Sequence, residues 1–162
     1  MVNDVLRSGS VAEQALRQEK RLRIDKLITE VVDDYTLLAK TRGMTFMVNT
    51  QPVTIYANRD MMRHVISNLV SNAVRHSDAG SVITITCGQR KLAIENACTP
   101  LTKQQLQHVF DPFYRSNTTT KQHADSSGIG LYTVKMLLDA KGLDYSFAPH
   151  GQGMRFVVKL AS

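Results

Sequence analysis

The sequence predicts an α/β two-layer sandwich, in which a mixed β-sheet is covered on one face by helices. Residues 62–76 repeat apolar side chains at i, i+3, i+4 and i+7, which is typical of an amphipathic helix with one buried face. Residues 82–87 and 92–95 are rich in Val, Ile and Thr, as β-strands are. Because strands and helices are interspersed along the chain, we expect both kinds of element to share one core.

The composition is that of an ordinary globular domain. The 162 residues are enough for about one domain, and 43% of them are hydrophobic. The net charge of +6 favours anionic partners, but the absence of Trp and an aromatic content of 6% argue against direct binding of nucleic acid. Cys87 and Cys98 form no CxxC pair, which favours reduced thiols. No apolar run approaches the roughly 18 to 20 residues that cross a bilayer.

The first part of the chain predicts one helix and two strands ahead of the central helix. Residues 1–23 have only a loose helical rhythm, and we interpret them as a frayed start or a linker. The apolar pattern from Ile24 predicts a helix that ends near Gly43, because glycine is favoured just after a helix. Residues 45–49 and 53–57 predict two short strands.

The central helix is preceded by Asn58 and Asp60, either of which is suited to cap it. At about 100° per residue, four of its polar side chains fall within roughly 40° of one another. They are His64, Asn68, Asn72 and Arg75. This stripe separates the apolar face from a solvent face marked by Arg63, Ser67 and Ser71. The two amides either meet a polar ligand, with an oxygen for a hard cation such as Mg²⁺, or simply hydrogen-bond adjoining loops.

The second half of the chain predicts a hairpin, two helices and a final strand. Residues 88–90 separate two strand-like runs and therefore predict a hairpin turn. Residues 102–109 predict a short helix that opens with a capping box. Residues 130–141 predict a further helix, ended by Gly142, and residues 154–160 predict a closing strand.

A long polar stretch, residues 99–127, precedes a pair of glycines. Stretches of this length inside a compact domain are usually functional lids, and an ordinary mobile surface loop is the alternative. Gly128, Ile129 and Gly130 come directly before a predicted helix, so backbone N–H groups and the positive end of the helix dipole can face a phosphate. No GxxxxGK[ST] motif occurs, so any nucleotide is held differently from one in a P-loop.

Four segments resemble the sequence motifs of one protein family, and they follow the same order along the chain as in that family. Residues 68–75 (NLVSNAVR) resemble the N box of the ATP-binding catalytic domain of sensor histidine kinases. Residues 94–101 (IENACTPL) stand where its G1 box would be, residues 110–115 (FDPFYR) resemble its F box, and residues 126–135 (SSGIGLYTVK) resemble its G2 box. The residues Ile-Glu-Asn and Pro-Phe-Tyr-Arg within these segments are similar to those of Gram-positive sensor kinases. Each motif is weak alone, but their order and spacing together make the resemblance specific.

The resemblance implies a Bergerat-type fold of the GHKL superfamily that binds ATP with Mg²⁺. It gives Asn72 the role of metal ligand, while Asn68 and Arg75 hold the phosphates and metal-bound waters, and these three are the implied catalytic residues. Asn96 would accept a hydrogen bond from the adenine amino group, and His76 would stack on the purine. The other cofactor-binding positions that it implies are Pro100, Phe110, Arg115, Lys121, Ser127, Gly128, Ile129, Gly130 and Leu131.

The chain departs from the family pattern in the G1 box. Members usually carry an Asp followed by two glycines where this chain has Asn96, Cys98 and Pro100. An Asn oxygen still accepts a hydrogen bond and its NH₂ group donates one, so adenine recognition is expected to persist at lower strength than with a carboxylate. The resemblance also implies that the polar stretch, residues 99–127, is an ATP lid that Phe110 and Phe113 anchor.

The resemblance also points to a reaction type. ATP hydrolases of the superfamily usually carry a general-base Glu four residues before the metal Asn, where this chain has Asn68, which cannot take a proton near neutral pH. Transfer to an acceptor that brings its own nucleophile therefore fits better than hydrolysis. None of the five histidines is followed by an acidic residue, as a phosphoacceptor would be. We expect the acceptor on a dimerisation domain outside this chain, with a response regulator as the onward partner.

The expected organisation is a linker or remnant of a dimerisation helix at 1–23 and a catalytic domain at 24–162. We expect a monomer in isolation, and a cytoplasmic part of a membrane-anchored sensor kinase that meets the membrane only through the rest of its parent protein. Two alternatives stay open. One is a degenerate domain that acts by binding a protein partner, and the other is a serine kinase of the anti-sigma type, which needs no histidine hairpin.

Overall fold

The computed structural model describes residues 13, 16–114 and 130–160 of the chain. Within these residues the helices are α1 (Ile24–Thr41), α2 (Arg59–His76), α3 (Lys103–His108) and α4 (Gly130–Lys141). The strands are β1 (Lys20–Arg23), β2 (Thr45–Thr50), β3 (Thr54–Ala57), β4 (Val82–Gly88), β5 (Lys91–Ala97), β6 (Tyr145–His150) and β7 (Gly153–Lys159).

Five of the strands form a mixed sheet in the order β2-β4-β5-β7-β6. Strands β2 and β4 run parallel, and the other neighbouring pairs run antiparallel. Alternate side chains on the three central strands are buried on one face of the sheet. These are Ile83, Ile85, Cys87, Leu92, Ile94, Met154, Phe156 and Val158. Strands β1 and β3 form a separate antiparallel pair.

The helices cover that face of the sheet. Helix α2 lies over β5, with α1 packed on one side of it and α4 on the other. The apolar faces of these helices and of the sheet form one continuous core. This is the predicted two-layer α/β sandwich, and the prediction of fold class is confirmed. Among the described residues, no helix has the length and apolarity that a bilayer crossing requires.

The predicted helix ends are confirmed by their hydrogen bonds. The Asn58 side chain accepts a hydrogen bond from the Met61 N–H at 2.9 Å, so Asn58 is the cap of α2. Thr102 opens α3 with a complete capping box. Gly43 follows α1 with a φ of +72°, and its N–H donates to the Lys40 carbonyl, which is the arrangement of a Schellman motif.

Strands β1 and β6 were not predicted. Strand β1 lies in the segment that the sequence favoured as a linker, but its four residues pair with β3, and the register puts Leu22 opposite the buried Ile55. Strand β6 is an edge strand with mostly exposed side chains. Strand β1 is mostly charged, and it depends on pairing with the distant β3 rather than on its own composition. Strand β6 pairs locally with β7, but Pro149 within it weakens the strand pattern.

Arg63 and Ser67, which were predicted to mark a solvent face, also contact α1. The Ser67 hydroxyl lies 3.0 Å from the hydroxyl of Tyr35 on α1, and Arg63 forms an ion pair with Asp34 on the same helix. This side of α2 therefore faces α1. A helical wheel cannot place a polar side chain against a polar partner that lies 29 or more residues away in sequence.

Candidate functional site

Helix α2 places Asn68 against the first residue of α4. The Asn68 amide donates from Nδ2 to the Gly130 carbonyl oxygen at 3.3 Å, across 62 residues of sequence. A Cβ added to Gly130 would lie 4.0 Å from Asn68 Cγ, so the two residues are in direct contact. The contact brings the polar stripe of α2 to the N-terminus of α4, where backbone N–H groups and the helix dipole favour an anion.

Asn72 and Arg75 extend this stripe toward the end of α2. Asn72 lies one turn beyond Asn68 on the same side of the helix and is half-buried. Arg75 is also half-buried, and its Nε donates to Ser71 Oγ at 3.1 Å, which holds the guanidinium along the helix. The described geometry therefore keeps Asn68, Asn72 and Arg75 together, as the sequence predicted for the stripe.

The stripe begins at a shallow open cleft of about 290 Å³ near the start of α2. It is lined by Asp60, Arg63, His64, Ser67 and Asn68. His64 is exposed there. The cleft thus opens at the end of the stripe that lies nearest the start of α2.

A second contact fastens the end of α2 to the end of β5. The Asp78 N–H donates to the Ala97 carbonyl oxygen at 2.8 Å, two residues after α2 ends. Arg75 and His76 are therefore close to the last residues of β5, which include Asn96. The structure joins the N box and the G1 box through this hydrogen bond, although neither motif contains Asp78.

Asn96 is a polar residue whose neighbours on the same face of β5 are apolar and buried. Its strand partner is Met154, and it shares the helix-covered face of β5 with Leu92 and Ile94. Asn96 itself is half-buried. It thus stands where the core reaches the edge of the helix layer, which is a position suited to contact a ligand.

Both cysteines are reduced, and burial keeps them protonated at neutral pH. Burial raises the pKa of Cys87 to about 11. Burial also raises the pKa of Cys98, with a smaller contribution from the nearby Asp78 carboxylate. Neither thiol has the lowered pKa of a nucleophile.

Phe110 fastens the F box to the edge of the sheet. Its ring centroid lies 5.7 Å from that of Tyr145, 6.4 Å from that of Phe147 and 6.2 Å from that of Phe156. Phe113 is 47% exposed and has a φ of +66°, so its ring is not packed in this way. The packed ring of Phe110 therefore holds its segment against the sheet. Phe113 lacks the packing that was expected of a second anchor.

The remaining predicted positions divide into two groups. Gly130 and Leu131 are half-buried at the start of α4, and Pro100 is exposed between β5 and α3. The other predicted cofactor-binding positions lie outside the described residues. They are Arg115, Lys121, Ser127, Gly128 and Ile129.

Two residues at the site were not predicted. Asp78 ties α2 to β5, as described above. Gly153 starts β7 directly opposite the end of β5, where an added Cβ would lie 1.8 Å from the Asn96 carbonyl oxygen. The sequence signal was available, because Gly151 and Gly153 stand two residues apart just before a strand-like run, and a glycine in a strand marks a close backbone approach.

The profile of the histidine kinase-, DNA gyrase B- and HSP90-like ATPases matches residues 57–162, which include every element described above from α2 onward. The chain belongs to this family. As a member of an ATPase family it is an ATP-using domain. The match begins one residue before the Asn58 cap of α2.

Relatives of the chain are sensor kinases. It is 33% identical over 161 residues to the sensor histidine protein kinase HK06 of Streptococcus pneumoniae serotype 2, covering 99% of this chain and 36% of that protein. It is 30% identical over 165 residues to the sensor histidine kinase CusS of Escherichia coli K12, covering 99% of this chain and 34% of that protein. The chain thus spans about a third of the length of these relatives.

Solved structures share the fold of this ATPase domain. The catalytic domain of histidine kinase ThkA superposes with a TM-score of 0.75 at 19% identity, covering 87% of this chain and 94% of that one. Histidine kinase AdeS of Acinetobacter baumannii superposes with a TM-score of 0.76 at 20% identity, covering 99% of this chain and 76% of that one. At these identities the likeness concerns the fold.

Proposed function

We propose that this chain is the ATP-binding catalytic domain of a sensor histidine kinase, which donates the γ-phosphoryl group of ATP to a histidine on a dimerisation domain outside the chain. The observation that carries the proposal is the contact of Asn68 with Gly130. It sets a row of two amides and an arginine beside a helix N-terminus, and these are groups that bind polyphosphate and its metal. The family membership and the named relatives support the same function.

The residues of the stripe fit Mg²⁺. In the part of the chain that the structure describes, no cluster of three or more His, Cys, Asp or Glu residues could hold a metal. Mg²⁺ suits such a site, because it keeps several waters and takes few protein ligands in addition to substrate phosphates. The Asn72 amide oxygen would be its protein ligand. The ion would neutralise phosphate charge, and Arg75 would add a positive charge on the same side of α2.

The end of β5 would hold the nucleobase. Asn96 would read the substituent at position 6 of the purine, and His76 would stack on the ring. Pro100 and Leu131 would contribute to the pocket walls. The phosphates would then extend along α2 toward Asn68, Gly130 and the glycine segment before it. The packed Phe110 would hold the base of the lid against β6 and β7.

The position of the general base that related hydrolases use is occupied by an amide. Asn68 stands where a catalytic Glu would activate water, and its amide is already engaged with Gly130. Catalysis would therefore rest on positioning and charge neutralisation, with the nucleophile supplied by the acceptor histidine. A response regulator would receive the phosphoryl group from that histidine. The chain would be a monomeric, cytoplasmic part of a membrane-anchored kinase.

Two measurements test this function. Calorimetric titration with ADP and a non-hydrolysable ATP analogue is expected to show binding that strengthens with Mg²⁺. Incubation with radiolabelled ATP and a separately supplied histidine hairpin from a related kinase is expected to label the hairpin with an acid-labile phosphoryl group. Acid-stable label on a serine-containing acceptor would instead identify an anti-sigma-type kinase. Absence of nucleotide binding under all conditions would favour a degenerate, partner-binding domain.

A further inference from the structure

The cleft beside the start of α2 adjoins the contact of Asn68 with Gly130, because Asn68 takes part in both. Its volume is about 290 Å³, and it is open to solvent. Sites that enclose a whole small molecule usually begin at about 300 Å³ and bury most of their ligand. The cleft therefore suits one end of a ligand that is held mainly elsewhere.

Two of the hydrogen-bond donors in the cleft are already engaged with α1. Arg63 forms an ion pair with Asp34 and lies 3.9 Å from Glu30. The Ser67 hydroxyl lies 3.0 Å from the hydroxyl of Tyr35. These side chains hold α2 against α1, so they are less available to a ligand.

His64 differs from these neighbours in the cleft. Its side chain is exposed, and no hydrogen bond or ion pair joins it to another described residue. It lies one turn before Asn68 on the same side of α2, so their Cβ atoms are about 5 to 6 Å apart. An imidazole ring carries at least one N–H donor whether it is neutral or protonated. His64 can therefore donate to an anion that extends past Asn68 into the cleft.

The proposed position of the nucleotide directs its phosphates toward this cleft. With the base at the end of β5, the phosphate chain runs along α2 past Arg75 and Asn72. In phosphoryl-transfer sites the metal bridges the β- and γ-phosphates, so the terminal phosphate would lie beyond Asn72 and beside Asn68. The next polar side chain of the stripe is that of His64. Only ATP would reach it, because ADP lacks this phosphate.

We propose that His64 donates a hydrogen bond to the terminal phosphate of ATP, and that the open cleft beside it leaves this phosphate accessible to the incoming acceptor. His64 is thus a further substrate-binding residue. Asp60 lies one turn farther out on α2, and its negative charge disfavours a phosphate at the outer end of the cleft. The inference rests on the proposed function, because it requires a nucleotide along α2.

The test compares ADP with a non-hydrolysable ATP analogue by calorimetric titration in Mg²⁺. For His64→Ala we expect the analogue to bind about fivefold or more weakly, because a hydrogen bond to a charged group is lost. The affinity for ADP should be unchanged, since ADP does not extend into the cleft. His64→Gln keeps an N–H donor and should retain most of the affinity for the analogue.

A matched control is His150→Ala, which removes another exposed imidazole, on β6. It should leave both affinities unchanged. Because both rings are exposed, neither substitution is expected to prevent folding, and thermal unfolding of each variant checks this.

The outcomes separate the inference from the function. If the native chain binds both nucleotides but His64→Ala leaves the analogue unaffected, or weakens both nucleotides equally, the inference is overturned and the proposed function stands. An equal loss in His64→Gln and His64→Ala would also overturn it, because the donor would then not be what the phosphate requires. If neither nucleotide binds the native chain, the proposed function fails and the inference fails with it.

Discussion

At the scale of single residues, Asn72 is half-buried on α2, and a single substitution can test its role. Asn68 is engaged with Gly130 and Arg75 with Ser71. Asn72 lies between them on the same helix side, with an amide oxygen of the kind that Mg²⁺ takes as a ligand. Its contribution should therefore appear in metal-dependent affinity and not in stability.

Asn72→Ala is expected to remove the gain in ADP affinity that Mg²⁺ provides, lowering affinity in Mg²⁺ by about tenfold or more. The free energy of unfolding should change by less than about 0.5 kcal/mol, because the side chain lies outside the apolar core. Calorimetric titration with and without Mg²⁺ measures the first effect. Asn49→Ala, at an exposed amide on β2, is the control. Undiminished dependence on Mg²⁺ in Asn72→Ala would refute the metal role.

Gly153→Ala is expected to lower the free energy of unfolding by about 2 kcal/mol or more, because the new Cβ meets the rigid backbone at Asn96. Gly88→Ala is the matched control in another strand. There the Cβ would lie 2.8 Å from the tip of the Gln51 side chain, which can swing aside, so the cost should stay below about 1 kcal/mol. Urea unfolding of both variants provides the comparison. Equal losses would contradict a special role for the close approach.

At the scale of elements, a carboxylate in the first turn of α1 bonds to the end of β1 and to the residue before β3. Asp25 accepts hydrogen bonds from Arg23 Nε at 2.8 Å, from Arg23 Nη2 at 2.7 Å and from the Val53 N–H at 3.1 Å. The Arg23 hydrogen bonds hold the pKa of Asp25 well below its usual range, with a smaller lowering from the Val53 N–H. Asp25 therefore stabilises the fold in its ionised form.

Asp25→Asn is expected to lower the free energy of unfolding by about 1 kcal/mol at pH 7. Because the folded-state pKa is lowered, the stabilisation is complete above the unfolded-state pKa of about 3.9 and is lost as the pH falls toward the folded-state value. The difference between native and variant chains should therefore shrink below about pH 4. Urea unfolding at several pH values measures it, with the exposed Asp33→Asn on the same helix as control. A difference that stays constant down to pH 3 would contradict this account.

At the scale of the whole molecule, three long-range contacts assemble the site. Asn68 joins α2 to α4, Asp78 joins the end of α2 to β5, and Phe110 joins the F box to β6 and β7. A nucleotide held by these parts binds only the folded chain. Its binding energy should therefore add to the stability of the whole domain.

ADP with Mg²⁺, at about a hundred times its dissociation constant, is expected to stabilise the domain by about 2.7 kcal/mol. For a chain of this size that corresponds to a rise in the unfolding temperature of roughly 5 to 10 °C. Differential scanning fluorimetry measures the shift, and Asn72→Ala should show a smaller one at the same nucleotide concentration. The lack of any shift would favour the degenerate-domain alternative.

Much of the fold was predictable because its signals are local. The Asn58 cap, the capping box of Thr102 and the glycine after α1 each depend on residues within one or two turns. The hairpin of β4 and β5 was also predicted, although its turn residues Gln89 and Arg90 are not glycines and both have positive φ. These features depend on neighbouring residues, so sequence patterns are sufficient to predict them.

By itself the sequence determined the fold class, the order of the main elements and the polar stripe of α2, because apolar periodicity and capping are properties of neighbouring residues. Only the tertiary structure decided which polar groups meet. The engagement of Asn68 with Gly130, the packing of Arg63 against α1 and the approach of Gly153 to Asn96 join residues that are 29 to 62 positions apart. No local pattern encodes such contacts, since they depend on how helices and strands pack. The candidate site is built from contacts of this kind.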